Sequence, residues 1–252
     1  VGTVLVVSAH PSAQSFTNAW AEASVAAARA AGDDVLRSDL GAMGFDPVEA
    51  PGVYGLPNGE AFDPLKAQQA ASEANELPAD VAEEVAKVRA ADRIILHFPI
   101  WWFAPPAALK GWQDRVFAQG ALHSEDARFD RGMCLGKEVL FCVSTGARES
   151  ECGPDGKEGD LRLQLWPLAY TFRYLGMTVL EPVSVHSVHG YHEGEAKQAV
   201  EAQLRSVLDA QTELAARWNS LPRMVFNPEG DFDADGRLKA DAPSHSPFVR
   251  HA

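Results

Sequence analysis

Three stretches of this chain concentrate residues whose types and spacing could do chemistry. The first, SAHPSAQSFTNA at residues 8–19, follows an apolar run and sets Ser15, Thr17 and free backbone amides at the head of a helix. Unpaired N–H groups and the helix dipole favour phosphate at such a place. The stretch has neither the GK[ST] of a Walker A loop nor GxGxxG, and Ser15 serves equally well as a plain helix cap. The second, FPIWWFAPP at residues 98–106, puts Trp101, Trp102 and Phe103 in a row between prolines. Such a wall would stack a planar ligand, and two of the three packing into a core or a subunit interface is the competing reading. The third, STGARESECGPDGKEGD at residues 144–160, carries Ser144, Thr145 and Gly146, then Gly153, Gly156 and Gly159. Glycines let the backbone approach a flat ligand, but an ordinary crossover loop has similar content.

Other candidates are weaker. His186, His189 and His192 fall three apart, which is not a standard zinc ligand pattern, and no Cys or acidic partner adjoins them, so no metal is expected. Cys152 has no neighbouring His to form a thiolate pair. Glu149, Glu151, Asp155, Glu158 and Asp160 read as solvated loop charges that would repel anionic substrates at a pocket mouth.

The elements that must position these loops alternate in type. Continuous apolar, β-branched runs at residues 3–9, 93–98, 137–144 and 177–185, with a second strand at about 34–38, have the pattern of strands covered on both faces. Helical spacing runs over 16–31, closed by Gly32, and over 64–74, 78–91, 105–117, 161–175 and 193–220. Residues 39–64 form a long ordered loop of the kind that usually carries function, and the tail from 221 to 252 has no core pattern of its own. The spacing therefore predicts an α/β, three-layer sandwich: a five-stranded parallel sheet in the order 2-1-3-4-5 with helices on both faces and a C-terminal extension. The loops after strands one, three and four meet at the carboxyl ends of such a sheet, where ligands bind. Those are the three stretches above.

The chain has 252 residues, 46% hydrophobic and 23% charged, which predicts one domain over 1–220 with the tail, 221–252, packing on it or on a dimer partner. A net charge of −13 disfavours nucleic acid and anionic membrane surfaces. Three cysteines suit a reducing compartment, read here as the cytoplasm. The opening VGTVLVVSAH lacks a basic flank and a cleavage pattern, and no run approaches a membrane span.

Taken in order, SAHPSAQSFTNA, SDLGAMGFDPV (38–48), AADRIILHFPIWWFAPPAALKGWQDRVF (90–117) and STG…GPDG…GD…LWPL (144–168) resemble the NAD(P)H:quinone oxidoreductase, or DT-diaphorase, family of flavodoxin-like flavoproteins. The resemblance runs from about Val4 to Val185. It implies a flavodoxin-like fold, a homodimer with FAD at the subunit interface, NADH or NADPH as electron donor, and ping-pong two-electron reduction of quinones or related planar acceptors. By position it implies that His10, Ser15, Phe16, Thr17 and Ala19 hold the FAD pyrophosphate and adenosine. Pro99, Ile100, Trp101, Trp102 and Phe103 would pack along the isoalloxazine, Ser144, Thr145, Gly146 and Ala147 would meet its pyrimidine end, and Lys197 would lie near the adenine. Two departures stand out. The family's Tyr/His relay falls on Cys152 and Glu158, and the aromatic pair with which the partner subunit roofs the pocket falls near His123 and Glu125. The alternatives are a flavin-binding regulatory subunit of a transport protein and a pathway-specific reductase of an aromatic metabolite.

Overall fold

The computed structural model describes residues 2–57, 59 and 61–252. The apolar runs form β1 (Thr3–Ser8), β3 (Arg93–Pro99) and β4 (Glu138–Ser144), flanked by β2 (Asp34–Asp39) and the short β5 (Thr178–Val179). All pair in parallel in the order β2-β1-β3-β4-β5, as the spacing predicts. In register, Val6 lies beside Ile95, and Ile95 beside Leu140. The sheet is buried on both faces, which is why its central strands are apolar at successive positions and do not alternate.

Each face has its own core. On one, Leu5, Val7, Ile94, Leu96, Val139 and Phe141 pack under α3 (Ala79–Ala90), α4 (Ala107–Val116) and α6 (Trp166–Tyr174). On the other, Val4, Val6, Ile95, Leu140 and Cys142 pack under α1 (Phe16–Ala30), with Leu204, Val207 and Leu208 of α7 (Gly194–Asp209) and Leu214 of α8 (Gln211–Ala216) packed against the same core. Glu84 of α3, fully buried, anchors the first layer: it accepts from Ser38 Oγ (3.0 Å), Lys87 Nζ (2.7 Å) and Trp112 Nε1 (2.8 Å).

Three expectations are corrected, two of them by proline. The helix expected over 161–175 is two, α5 (Leu161–Gln164) and α6, because Pro167 has no N–H to continue the ladder across Leu165. The strand expected over 177–185 is interrupted at Leu180–Pro182 and resumes as β6 (Val183–Val185), again on β4, since Pro182 cannot donate to a ladder. The helix expected over 193–220 bends at Ala210 into α7, α8 and a short 3-10 turn. There the buried Gln211 turns its amide back to the Val207 carbonyl (2.8 Å) and takes the Ser24 hydroxyl of α1 (3.0 Å).

Helix α2 (Pro64–Ala74) follows the long loop, which holds a 3-10 turn at Pro51–Tyr54. Residues 58 and 60 of that loop lie outside the described residues. The tail covers the edge of the sheet, with Glu181 N donating to Pro222 O (2.8 Å) and Met224 N to Val179 O (2.9 Å). It then lays Phe226 on Trp166 and Phe248 on Tyr170, ring centroids 5.1 and 5.3 Å apart. Among the described residues no helix is long and apolar enough to cross a membrane.

Candidate functional site

A cleft of about 440 Å3 opens at the carboxyl ends of β3 and β4, within the size range of small-molecule sites. One wall is the loop after β3. Trp101 N donates to Ala104 O (2.9 Å) and Ala104 N to Trp101 O (3.2 Å), closing a two-residue turn on Trp102 and Phe103. Both have positive φ, +51° and +61°, the backbone of a type I′ turn, where Asn and Gly are normally found. The strained turn holds three aromatic rings out of the core, with Trp101, Trp102 and Phe103 exposed by 44, 93 and 55%. Core packing is therefore not their role within one chain. Pro99 is buried and ends β3, and Ile100, fixed by its amide to Ser144 O (2.8 Å), faces the cleft with Trp102 and Phe103.

The opposite wall is the loop after β4. Ser144 is buried, Thr145 N donates to Val185 O (2.9 Å), and Ala147 N donates to Thr145 Oγ1 (3.2 Å). These bonds leave Gly146, between them, as the amide of the trio without an acceptor among the described residues. A side chain at Gly146 would approach the Val188 carbonyl and the His189 ring at 3.8–4.0 Å. Further on, Glu158 N reaches Glu151 O (2.9 Å) and Gly156 sits where a Cβ would strike the Glu151 carbonyl, so the loop folds back and brings Cys152 and Glu158 to the same cleft.

Sequence reasoning missed two lining residues, Leu161 and Gln164, and read a third, Glu151, as a solvated loop charge. Glu151 is not a solvated charge: Arg148 donates to it through its guanidinium (2.8 Å) and its amide (3.0 Å), and Lys157 Nζ lies 3.1 Å away. Chiefly the Arg148 bonds hold its pKa down at about 2, so the carboxylate stays charged and paired. Gln164 Nε2 donates to the Glu158 carbonyl (2.7 Å), which fixes the backbone there. Burial first, then the Glu158 and Glu151 charges, raises the pKa of the Cys152 thiol, so it is no thiolate nucleophile.

The first loop stands beside this cleft without lining it. The His10 ring meets the Trp101 ring edge-on, centroids 5.6 Å apart, and its Nδ1 accepts from Ser12 N (3.0 Å). Ser15 caps α1 through its hydroxyl, which accepts from Asn18 N (3.2 Å). The Phe16 and Thr17 amides, in the first turn, have no intrahelical acceptor. Phe16 packs on Trp20, the Thr17 side chain is buried and Ala19 is exposed. Asn18, which sequence reasoning passed over, ties the loop down through Ser8 Oγ (2.6 Å) and the Ser12 carbonyl (2.9 Å).

Other expected positions lie elsewhere. Lys197 stands on α7, 3.9 Å from Glu201, and does not line the cleft. His123 lines a second cleft, which shares no lining residue with the first, and Glu125 is exposed. His189 and His192 stack on one another at 3.8 Å, and His192 Nε2 lies 2.8 Å from Ser187 O. Among the described residues no three His, Cys, Asp or Glu side chains group as metal ligands.

Residues 2–209 match the family model described as flavodoxin-like fold. The chain is 34% identical over 237 residues to NAD(P)H dehydrogenase [quinone] 1 of Rattus norvegicus, covering 92% of this chain and 83% of the relative. It is 37% identical over 182 residues to ribosyldihydronicotinamide dehydrogenase [quinone] of Homo sapiens, covering 71% and 79%. A crystal structure from Klebsiella pneumoniae, provisionally assigned as a quinone reductase, superposes with a TM-score of 0.83 at 27% identity and 97% coverage of each chain.

Proposed function

Because this chain belongs to the NAD(P)H:quinone oxidoreductase family of flavodoxin-like proteins, we propose that it is a flavin-dependent NAD(P)H oxidoreductase reducing quinones or related planar acceptors. The observation that carries this reading is the cleft between an exposed, strained aromatic turn and a glycine loop with a free amide. A flat heterocycle with a polar rim fits both walls, and the residues present suit a flavin. A flavin held there would supply two-electron hydride chemistry between nicotinamide and acceptor.

The chain's own groups bind and orient. Trp102 and Phe103 give the stacking wall, with Pro99, Ile100 and Trp101 behind them. The Gly146 amide, held by Ser144, Thr145 and Ala147 on either side, donates to the pyrimidine edge, where charge develops. The Phe16 and Thr17 amides at the head of α1 receive the pyrophosphate, with His10, Ser15 and Ala19 around them. Lys197 is left to the adenine end.

At the relay positions the chemistry differs from a Tyr/His pair. Cys152 stays protonated and neutral. Glu158 stands in the cleft with no side-chain hydrogen bond among the described residues, on a loop dense in charge and glycine. With no hydrogen-bonded partner to position its carboxyl, it is not the group on which hydride transfer depends. Glu158→Gln therefore changes the rate of flavin reduction, followed by stopped flow at saturating NAD(P)H, by less than about tenfold, or about 1.4 kcal/mol of barrier. A loss of about 100-fold, the scale of a general acid, would assign the relay to Glu158.

FAD as the flavin and a homodimer as the working form complete the proposal. Exposed aromatic surface at the turn exceeds what one ring system covers, and patches of that kind mark interfaces. In a dimer the partner brings the surface around its own His123 and Glu125 over the cleft. Light scattering on the yellow protein, with chromatography of the flavin released on denaturation, should give twice the chain mass and FAD. A flavin-loaded monomer, or FMN alone, refutes this part. The cysteines Cys134, Cys142 and Cys152 are free and buried, in keeping with a reducing, cytoplasmic setting.

A further inference from the structure

The cleft at the ends of β3 and β4 carries a charge that hydride transfer does not use. Two carboxylates line it, Glu151 and Glu158, and no Lys, Arg or His does so among the described residues. The two carboxylates are compensated differently. Glu151 is paired with the Arg148 guanidinium (2.8 Å) and Lys157 Nζ (3.1 Å), two cations that stand largely in solvent and do not line the cleft. Glu158 has no ion pair among the described residues, yet its backbone is fixed on both sides. Its N–H donates to Glu151 O (2.9 Å) and its carbonyl accepts from Gln164 Nε2 (2.7 Å).

The loop therefore sets where this charge stands, and the charge is felt inside the cleft. After burial, it is the next cause of the raised pKa of the Cys152 thiol on the same wall. The surroundings do not cancel it. Residues 144–160 hold two cations against five anions, and the facing wall of Ile100, Trp102 and Phe103 is uncharged. At the effective dielectric of a partly open protein surface, a full charge a few ångströms away alters binding by about tenfold.

We propose that Glu158 selects the acceptor by charge: planar quinones with a positive substituent enter the cleft most readily, neutral ones next, and sulfonated or carboxylated ones least. The carboxylate acts on the acceptor through its field, without a proton to give or take. This rests on the reading that the cleft takes a planar acceptor, and it adds the chemical class of acceptor that suits the cleft.

The test is equilibrium binding to the flavin-loaded protein as purified, with no nucleotide present, so that no turnover occurs. Three anthraquinones differing at one position are titrated, with quenching of tryptophan fluorescence as the signal: the 2-(trimethylammoniomethyl), 2-(hydroxymethyl) and 2-sulfonate derivatives. Their quinone ring is fully substituted and cannot add to Cys152. Salt is kept at about 10 mM, where the Debye length is about 30 Å. Wild type should bind the cation roughly tenfold or more tightly than the sulfonate, with the alcohol between them. Glu158→Gln should bring that ratio below about threefold, and Glu158→Lys should reverse it. Glu149→Gln removes an exposed charge of the same loop that does not line the cleft, and should leave the ratio within about twofold of wild type. Melting temperatures check folding, and Glu158→Gln decides if Glu158→Lys does not fold. Equal affinities for the three compounds, a ratio that survives Glu158→Gln, or an equal fall in Glu149→Gln overturns the proposal while the planar-acceptor reading stands, since the compounds still bind. Binding of none of the three overturns both.

Discussion

Replacing Trp102 and Phe103 together by Asn and Gly should make the flavin-free protein more stable and cost it its flavin. Both aromatics are held at positive φ in a turn closed by two hydrogen bonds. For an L-residue with a bulky side chain that backbone costs about 1–2 kcal/mol. Asn-Gly is the pair a turn of this type prefers. Because Trp102 is 93% exposed, its removal loses little packing within the chain. Unfolding of the flavin-free variant in urea should therefore require about 1–2 kcal/mol more than wild type. Flavin affinity should drop about 100-fold or more, equal to about 2.7 kcal/mol, because the stacking wall is gone. A less stable variant would show that the turn is not strained, and one that binds flavin as tightly as wild type would show that the two rings do not hold the ligand.

The second large effect is on acid stability and comes from a residue outside both clefts. His97 of β3 is fully buried against Trp20, ring centroids 5.3 Å apart, and neither ring nitrogen has a partner among the described residues. Desolvation, with the Arg37 charge second, lowers its pKa from 6.5 to about 3. The folded chain thus holds His97 neutral while the unfolded chain protonates it below about pH 6.5, so stability is full above that pH and falls as pH drops towards 3. The slope is about 1.4 kcal/mol per pH unit. Between pH 7.5 and 4.5 the loss from this residue alone is about 2.7 kcal/mol, on the order of 100-fold in the folding equilibrium. His123, also lowered by burial, adds a smaller part of the same sign. His97→Leu, which leaves no unpaired ring nitrogen in the core, should be near wild-type stability at pH 7.5 and about 3 kcal/mol more stable at pH 4.5. Urea denaturation at a series of pH values reads this out. An acid limb as steep in the variant as in wild type would place the titrating group elsewhere.

Much of the scaffold was legible because a doubly covered parallel sheet writes itself as unbroken apolar runs, as TVLVVS, RIILHFP and EVLFCVS do. A helix head was legible where a capping residue precedes it, as Ser15 does. The misjudged elements were also written in the sequence. Pro167 and Pro182 lack the donor that a continuous helix or strand requires, and periodicity over the surrounding residues masked them. The bend at Ala210 was not legible in this way, since it depends on Gln211 reaching Ser24, 187 residues away.

The site was legible by its loops and not by its geometry. Trp-Trp-Phe gives no local signal for a turn with positive φ, because residues that prefer such a turn are Asn and Gly; the strain emerges only in the short connection from β3, which ends at Pro99, to α4. Glu151 looked like one of several solvated acids until the fold brought Arg148 and Lys157 to it.

A flavin in the cleft at the ends of β3 and β4 would alternate between nicotinamide and quinone. Steady-state oxidation of NADH and NADPH by 1,4-naphthoquinone, with both substrates varied and free flavin as the control, reads this out. Turnover well above the free-flavin rate is expected with at least one nucleotide, together with parallel double-reciprocal lines, because donor and acceptor occupy the same cleft in turn. No turnover above the control with either nucleotide, or intersecting lines that require both substrates bound at once, would contradict it.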